Sequence, residues 1–150
     1  MDSVSAARRS EIMARIRSKD TKPEMLIRRM LHRLGYRYAL HRRDLPGAPD
    51  LVFPARRKII LVHGCFWHQH RNCVDGRLPK SRQDYWKPKL LRNVERDRRN
   101  IVKMRRGGWK VMMVWECDTA DADRLLARIV RFLGPAGDKT RRTGRNLRQR

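Results

Sequence analysis

Three histidines and two cysteines fall within the run HGCFWHQHRNC at 63–73, and a third cysteine, Cys117, closes an apolar stretch further on. Thiolate and imidazole donors this close together suit a borderline-soft ion. Cys65, His70, Cys73 and Cys117 would make a Cys₃His set, the closed ligand count of structural zinc. Three cysteines cannot all pair with one another, which in a reducing compartment favours metal over disulfides. Three unrelated buried thiols are the plain alternative. Four ligands fill a zinc ion, so His63 and His68 are left for other work. A neutral imidazole with a pKa near ~6.5 can take a proton from water attacking a phosphodiester. The alternative for each is a hydrogen-bonded structural histidine.

A carboxylate completes the chemistry. Asp50 opens the apolar run Leu51-Val52-Phe53, and a second apolar run, Lys58–His63, follows after a short turn. An acid at a strand start can hold Mg²⁺ at a sheet edge, where phosphate can approach. Equally, an Asp after Pro-Gly-Ala-Pro can simply cap a turn. Phe66 and Trp67 sit between the cysteines, with Trp86 beyond. Such aromatics either wedge between base steps, kinking DNA, or cover the zinc site.

The elements that must position these groups can be read from periodicity. Thr21, Pro23 and Glu24 form a capping-box start, Leu26, Ile27, Met30, Leu31 and Leu34 keep helical spacing, and Gly35 ends the helix. Strands are expected over Tyr36–Leu40, Asp50–Phe53 and Lys58–His63, and an irregular, ligand-organised loop over 64–81. A long basic helix from about Gln83 to Arg106 stops at Gly107-Gly108. Trp109–Trp115 reads as a strand buried on both faces. Thr119–Leu133 reads as a helix capped by Thr119 or Asp118. This order predicts one α/β domain, a mixed sheet flanked by helices, over residues 21–133. Residues 1–20 form a basic arm or helix, and residues 134–150 a disordered basic tail.

Thirty-eight Lys and Arg oppose fifteen Asp and Glu in 150 residues, a formal net charge of +23. Such a field favours a polyanion, because each phosphate contact releases counterions. No apolar run approaches the ~20 residues that span a bilayer. The N-terminal twenty residues carry acids and lack the apolar core of a secretory signal, so a cytoplasmic protein without membrane contact is expected.

PGAPDLVF at 46–53, KIILVHGCFWHQHRNC at 58–73, Tyr85-Trp86, NVERDRRN at 93–100 and GWKVMMVWEC at 108–117 together resemble the Vsr-type very-short-patch repair endonucleases. The resemblance covers roughly residues 8–120. It implies a restriction-endonuclease-like fold and, as substrate, double-stranded DNA carrying a T:G mismatch left by 5-methylcytosine deamination, nicked 5′ of the thymine. It implies a bacterial, nucleoid-associated enzyme acting as a monomer, with mismatch-repair proteins as possible partners. By position, Asp50 becomes the Mg²⁺ ligand, assisted by the backbone carbonyl of Val62, and His68 the base. His63 and Glu24 support them, Glu24 by positioning a histidine or a metal-bound water. Cys65, His70, Cys73 and Cys117 become the zinc ligands. Phe66, Trp67 and Trp86 enter the duplex beside the mismatch, and Met13 would intrude from the minor-groove side.

Two positions depart from the family pattern. Val62 stands where a threonine is expected, which a carbonyl ligand survives and a hydroxyl role would not. Arg71 and Asn72 stand between His70 and Cys73 where a single residue is expected, which bears on the zinc-loop geometry. Two rival functions remain: a restriction-type nuclease cutting both strands of matched DNA, and a non-catalytic zinc DNA-binding module.

Overall fold

The computed structural model describes residues 20–136. Most of the expected N-terminal arm, with Met13, and the tail beyond residue 136 lie outside them.

Helix α1 spans Lys22–Arg33. Thr21 caps it by accepting the Glu24 N–H at 3.4 Å. The Glu24 carboxylate reaches back to the N–H of Asp20 at 3.2 Å, one residue before the cap that a capping box would use. Leu34 and Gly35, the latter at φ +86°, close the helix. The strand expected over Tyr36–Leu40 shrinks to β1, Ala39–Leu40. Its first residues serve the helix end instead: the Tyr36 N–H donates to Leu31 O, and the Tyr36 ring is buried.

Strands β2, Leu51–Phe53, and β3, Lys58–His63, form the expected hairpin around a 3₁₀ turn at Pro54–Arg56. Asp50 lies just before β2 rather than in it. A turn-rich segment with a second 3₁₀ turn, Val74–Gly76, leads into α2, Gln83–Arg106. Strand β4, Lys110–Trp115, then pairs parallel to β3, aligning His63 with Trp115. Among the described residues the sheet runs β1-β2-β3-β4, antiparallel except for this last pair.

Alternation along the central strands explains the two-sided core. Leu51, Phe53, Ile60 and Val62 face α1 and the last helix, meeting Ile27, Leu31, Leu125, Ile129 and Leu133. Val52, Ile59 and Leu61 face α2, meeting Ile101 and Met104. Contrary to expectation, β4 is not buried on both faces: Lys110 is exposed and only Val114 is fully buried. Among the described residues the strand has a neighbour on one side only, so it lacks the cover that β3 enjoys. The final helix, α3, spans Ala122–Leu133 and is capped by Asp121, not by Thr119 or Asp118. Those two residues close the 3₁₀ turn Glu116–Ala120: Asp118 accepts the Trp115 N–H at 2.9 Å, and the Thr119 hydroxyl donates to Glu116 O at 2.6 Å. No described helix is long and apolar enough to cross a membrane.

Candidate active site and metal cluster

Strand β3 ends between two groups of donors. On the side of β2, Asp50 accepts the Val62 N–H at 2.8 Å. Burial, with Glu24 beside it, pushes the Asp50 carboxyl up to about 7; the Val62 N–H and His41 oppose that shift. Glu24 is itself 1% exposed and is held by Arg28 Nη1 at 3.2 Å and His41 Nε2 at 3.1 Å. Asp50 thus sits beside a second, fully buried acid, and its own charge is poorly relieved. That donor chemistry fits a hard divalent cation, whose charge would reverse the local shift.

On the side of α2 lie the imidazoles. His63, at the last position of β3, stacks on His68 with centroids 3.8 Å apart. His68 Nδ1 sits 2.5 Å from Asp97 Oδ2 of α2, leaving Nε2 as its second ring nitrogen. Burial and the neighbouring His68 lower the His63 pKa to about 4, so its ring is neutral at physiological pH. Among the described residues His63 Nδ1 is a buried nitrogen without a hydrogen-bond partner. Orphans of this kind cost about 1–3 kcal/mol and gather where function holds them. Asp50, His63, His68 and Asp97 all line one cavity of about 1230 Å³.

The sequence reading did not single out Asp97 or His41. For Asp97 the available signal was its place on α2. Leu90, Ile101 and Met104 are the buried residues of that helix, and Asn93, Asp97 and Asn100 interrupt the same face with polar groups. The consequence is visible in the packing. Asn93 donates to Trp67 O at 3.2 Å. Asn100 packs so closely on the loop before Asp50 that a Cβ on Gly47 (φ +74°) would come within 2.6 Å of its amide nitrogen.

The second group is the cysteine cluster. Cys65, His70, Cys73 and Cys117 bring one ligand atom each to within 4.8 Å of one another. His70 Nδ1 lies 3.7 Å from Cys65 Sγ and 3.4 Å from Cys117 Sγ. A tetrahedral ion with bonds of about 2.0–2.3 Å needs ligand separations of about 3.3–3.8 Å, so the set can hold a metal. Burial pushes the Cys65 thiol up to about 12, which leaves it protonated unless a cation binds. The extra residue between His70 and Cys73 is absorbed in a turn with Asn72 at φ +57°. The 3₁₀ turn that follows packs backbone to backbone, and a Cβ on Gly76 would lie 2.3 Å from His70 O.

Trp115 stands between the two groups. His70 stacks on it at 4.1 Å, and His63 meets it at 5.3 Å with the ring planes 77° apart. The ring that covers the cysteine cluster is therefore Trp115. Phe66 and Trp67 pack on each other (4.9 Å) and on Trp86 (5.3 and 6.0 Å), with Tyr85 against Trp86. This half-exposed aromatic patch borders the large cavity through Phe66 and Trp67.

Known proteins resemble this chain over most of its length. The profile of the DNA mismatch endonuclease Vsr family matches residues 1–74. A type II nicking enzyme, V.XorIIP, of Xanthomonas oryzae pv. oryzae is 50% identical over 135 residues, 90% of this chain and 98% of that protein. The nicking enzyme V.NmeAIP of Neisseria meningitidis is 40% identical over 117 residues, 78% of this chain and 83% of the relative. The DNA mismatch endonuclease Vsr of Escherichia coli K12 is 39% identical over 119 residues, 79% and 76% of the two chains. Identity of this extent, over nearly the whole of one relative, is decisive: the chain belongs to the DNA mismatch endonuclease Vsr family.

Proposed function

We propose that this protein is a Mg²⁺-dependent endonuclease that nicks one strand of duplex DNA 5′ of the thymine in a T:G mismatch, working as a monomer on a restriction-endonuclease-like core. One observation carries the reading: Asp50 and the His68–Asp97 pair open onto the same cavity, which the aromatic patch borders. A pure binding module has no use for a half-buried carboxylate that lines the same cavity as an oriented imidazole.

Asp50 would hold the cation, with Glu24 beside it. The Val62 carbonyl would assist, since the N–H and C=O of one strand residue leave on the same side and Asp50 already accepts that N–H. When bound there, Mg²⁺ supplies Lewis-acid stabilisation of charge on the phosphate oxygens. Asp97 engages Nδ1 of His68, so Nε2 is the nitrogen that takes the proton from water attacking phosphorus. As the new P–O bond forms, the bond to the leaving oxygen breaks and one strand is cut. His63 stays neutral and keeps the His68 ring in place by stacking.

Cys65, His70, Cys73 and Cys117 would hold Zn²⁺, fixing the loop that carries Phe66, Trp67 and His68. A T:G wobble resists distortion less than a matched pair, so insertion of Phe66, Trp67 and Trp86 favours mismatched duplex. The flanks of α2 support a direction of approach. Lys89, Arg92, Arg96, Arg99, Lys103 and Arg106 follow one another at spacings of three and four, with Glu95 the one acid beside them. Arg96 of this stripe lines the cavity. The stripe spans about 25 Å and offers the phosphates of the flanking duplex a continuous track.

A single assay tests the reading: one oligonucleotide duplex in T:G and T:A versions, with Mg²⁺ or EDTA. One-strand cleavage of the T:G duplex with Mg²⁺ alone is the expected result. Double-strand cutting of the T:A duplex would point to a restriction-type nuclease, and binding without cleavage to a DNA-binding module.

A further inference from the structure

His41 is a residue that neither the charge pattern nor the cysteine cluster explains. It follows β1 directly and adopts the left-handed conformation, φ +47°, which few residues other than glycine tolerate. Two bonds fix it there. Its N–H donates to Asp50 O at 3.2 Å, and its Nε2 lies 3.1 Å from Glu24 Oε1. Since an ionised carboxylate only accepts, the Nε2–H donates. One residue therefore grips both acids of the site, one through its backbone and one through its ring.

The Glu24 carboxylate is divided between neighbours. Oε2 receives Arg28 and the Asp20 N–H, while Oε1 receives His41. Asp20, Glu24 and His41 have the composition of a small cation site. Arg28 Nη1, however, lies 2.7 Å from Asp20 and 3.2 Å from Glu24, so a cation already occupies that position. The group is better suited to aiming a carboxylate than to binding a second ion.

We propose that His41 is a positioning residue for the nicking reaction: it orients the Glu24 carboxylate beside Asp50, so that two acids and not one face the bound divalent cation. The inference rests on the assignment of Asp50 as cation ligand. Without His41, Oε1 of Glu24 loses its partner, the carboxylate turns, and the cation is held more weakly. A glutamine at this position restores a donor and with it the geometry.

The test titrates Mn²⁺ alone into the purified full chain and follows free Mn²⁺ by electron paramagnetic resonance, with nicking of the T:G duplex measured alongside. His41→Ala is expected to weaken Mn²⁺ binding about tenfold, with nicking recovered at high Mg²⁺ and the KM for DNA unchanged. His41→Gln should stay within about twofold of wild type. In a Glu24→Gln background, His41→Ala should add no further loss. Thermal unfolding of each variant confirms the fold. Wild-type Mn²⁺ affinity in His41→Ala, an undiminished effect in the Glu24→Gln background, or no Mn²⁺ binding by wild type would overturn the proposal. Mn²⁺ binding with the expected pattern but an intact T:G duplex would overturn the proposed function and leave standing His41's part in holding the cation, without its part in nicking.

Discussion

The two groups of candidate ion ligands at the end of β3 are built on opposite plans. Cys65, His70, Cys73 and Cys117 turn four nitrogen and sulfur donors toward a single point. Asp50, with the buried Glu24 beside it, turns oxygen toward an open cavity and would leave most of a cation's coordination to water and substrate. The first plan suits an ion that never leaves, the second one that must meet a phosphate. Stability should accordingly depend on the first, and turnover on the second.

The largest effect expected is at the open site. Asp50→Asn should lower nicking at least about a thousandfold while leaving mismatch binding largely intact. Thermal unfolding of the metal-free protein should hold or rise, because the change removes a poorly relieved buried charge. A large fall in Tm would break the contrast. At the closed site, Cys117→Ala should cost several kcal/mol, roughly 10 °C in Tm, together with the loss of about one zinc per chain on metal analysis. Unchanged Tm and metal content would make the cysteines mere core residues. His68→Ala should slow nicking about a hundredfold at unchanged Tm, with Asp97→Asn acting in the same direction.

A pH series sharpens the contrast further. The Asp50 pKa is raised to about 7, and a cation must displace that proton. Mg²⁺ affinity should therefore be flat above pH 7 and fall about tenfold per unit below it, as calorimetry would read. The smallest effect belongs to the rim. Trp67→Ala should reduce the preference for T:G over T:A duplex by about tenfold, and an unchanged ratio would leave the aromatic patch without a part in discrimination.

The sequence made some of this legible and hid the rest for definite reasons. The hairpin, the long helix α2 and the Cys₃His group stand out because alternation, helical spacing and donor chemistry are local properties of the chain. The thinness of β1 and the short α3 were missed because Tyr36, Asp118 and Thr119 spend their hydrogen bonds on closing neighbouring turns, which periodicity does not record. Asp97 and His41 depend on three-dimensional meetings with His68 and Glu24, 29 and 17 positions away. Only the polar interruption of α2's buried face hinted at the first. Nothing local marked the second, whose left-handed backbone is imposed by the turn.

The parallel pairing of β3 with β4 has a consequence for how the molecule assembles. Three of the four cysteine-cluster donors lie ahead of α2, and the fourth, Cys117, arrives only after the whole helix and β4 have been made. On the ribosome an ion could at first be held by three ligands, open to exchange and to chelators. Closure waits for a long-range strand pairing of the kind that folds slowly. Resistance of an ion bound there to a chelator would thus serve as a clock for completion of the sheet.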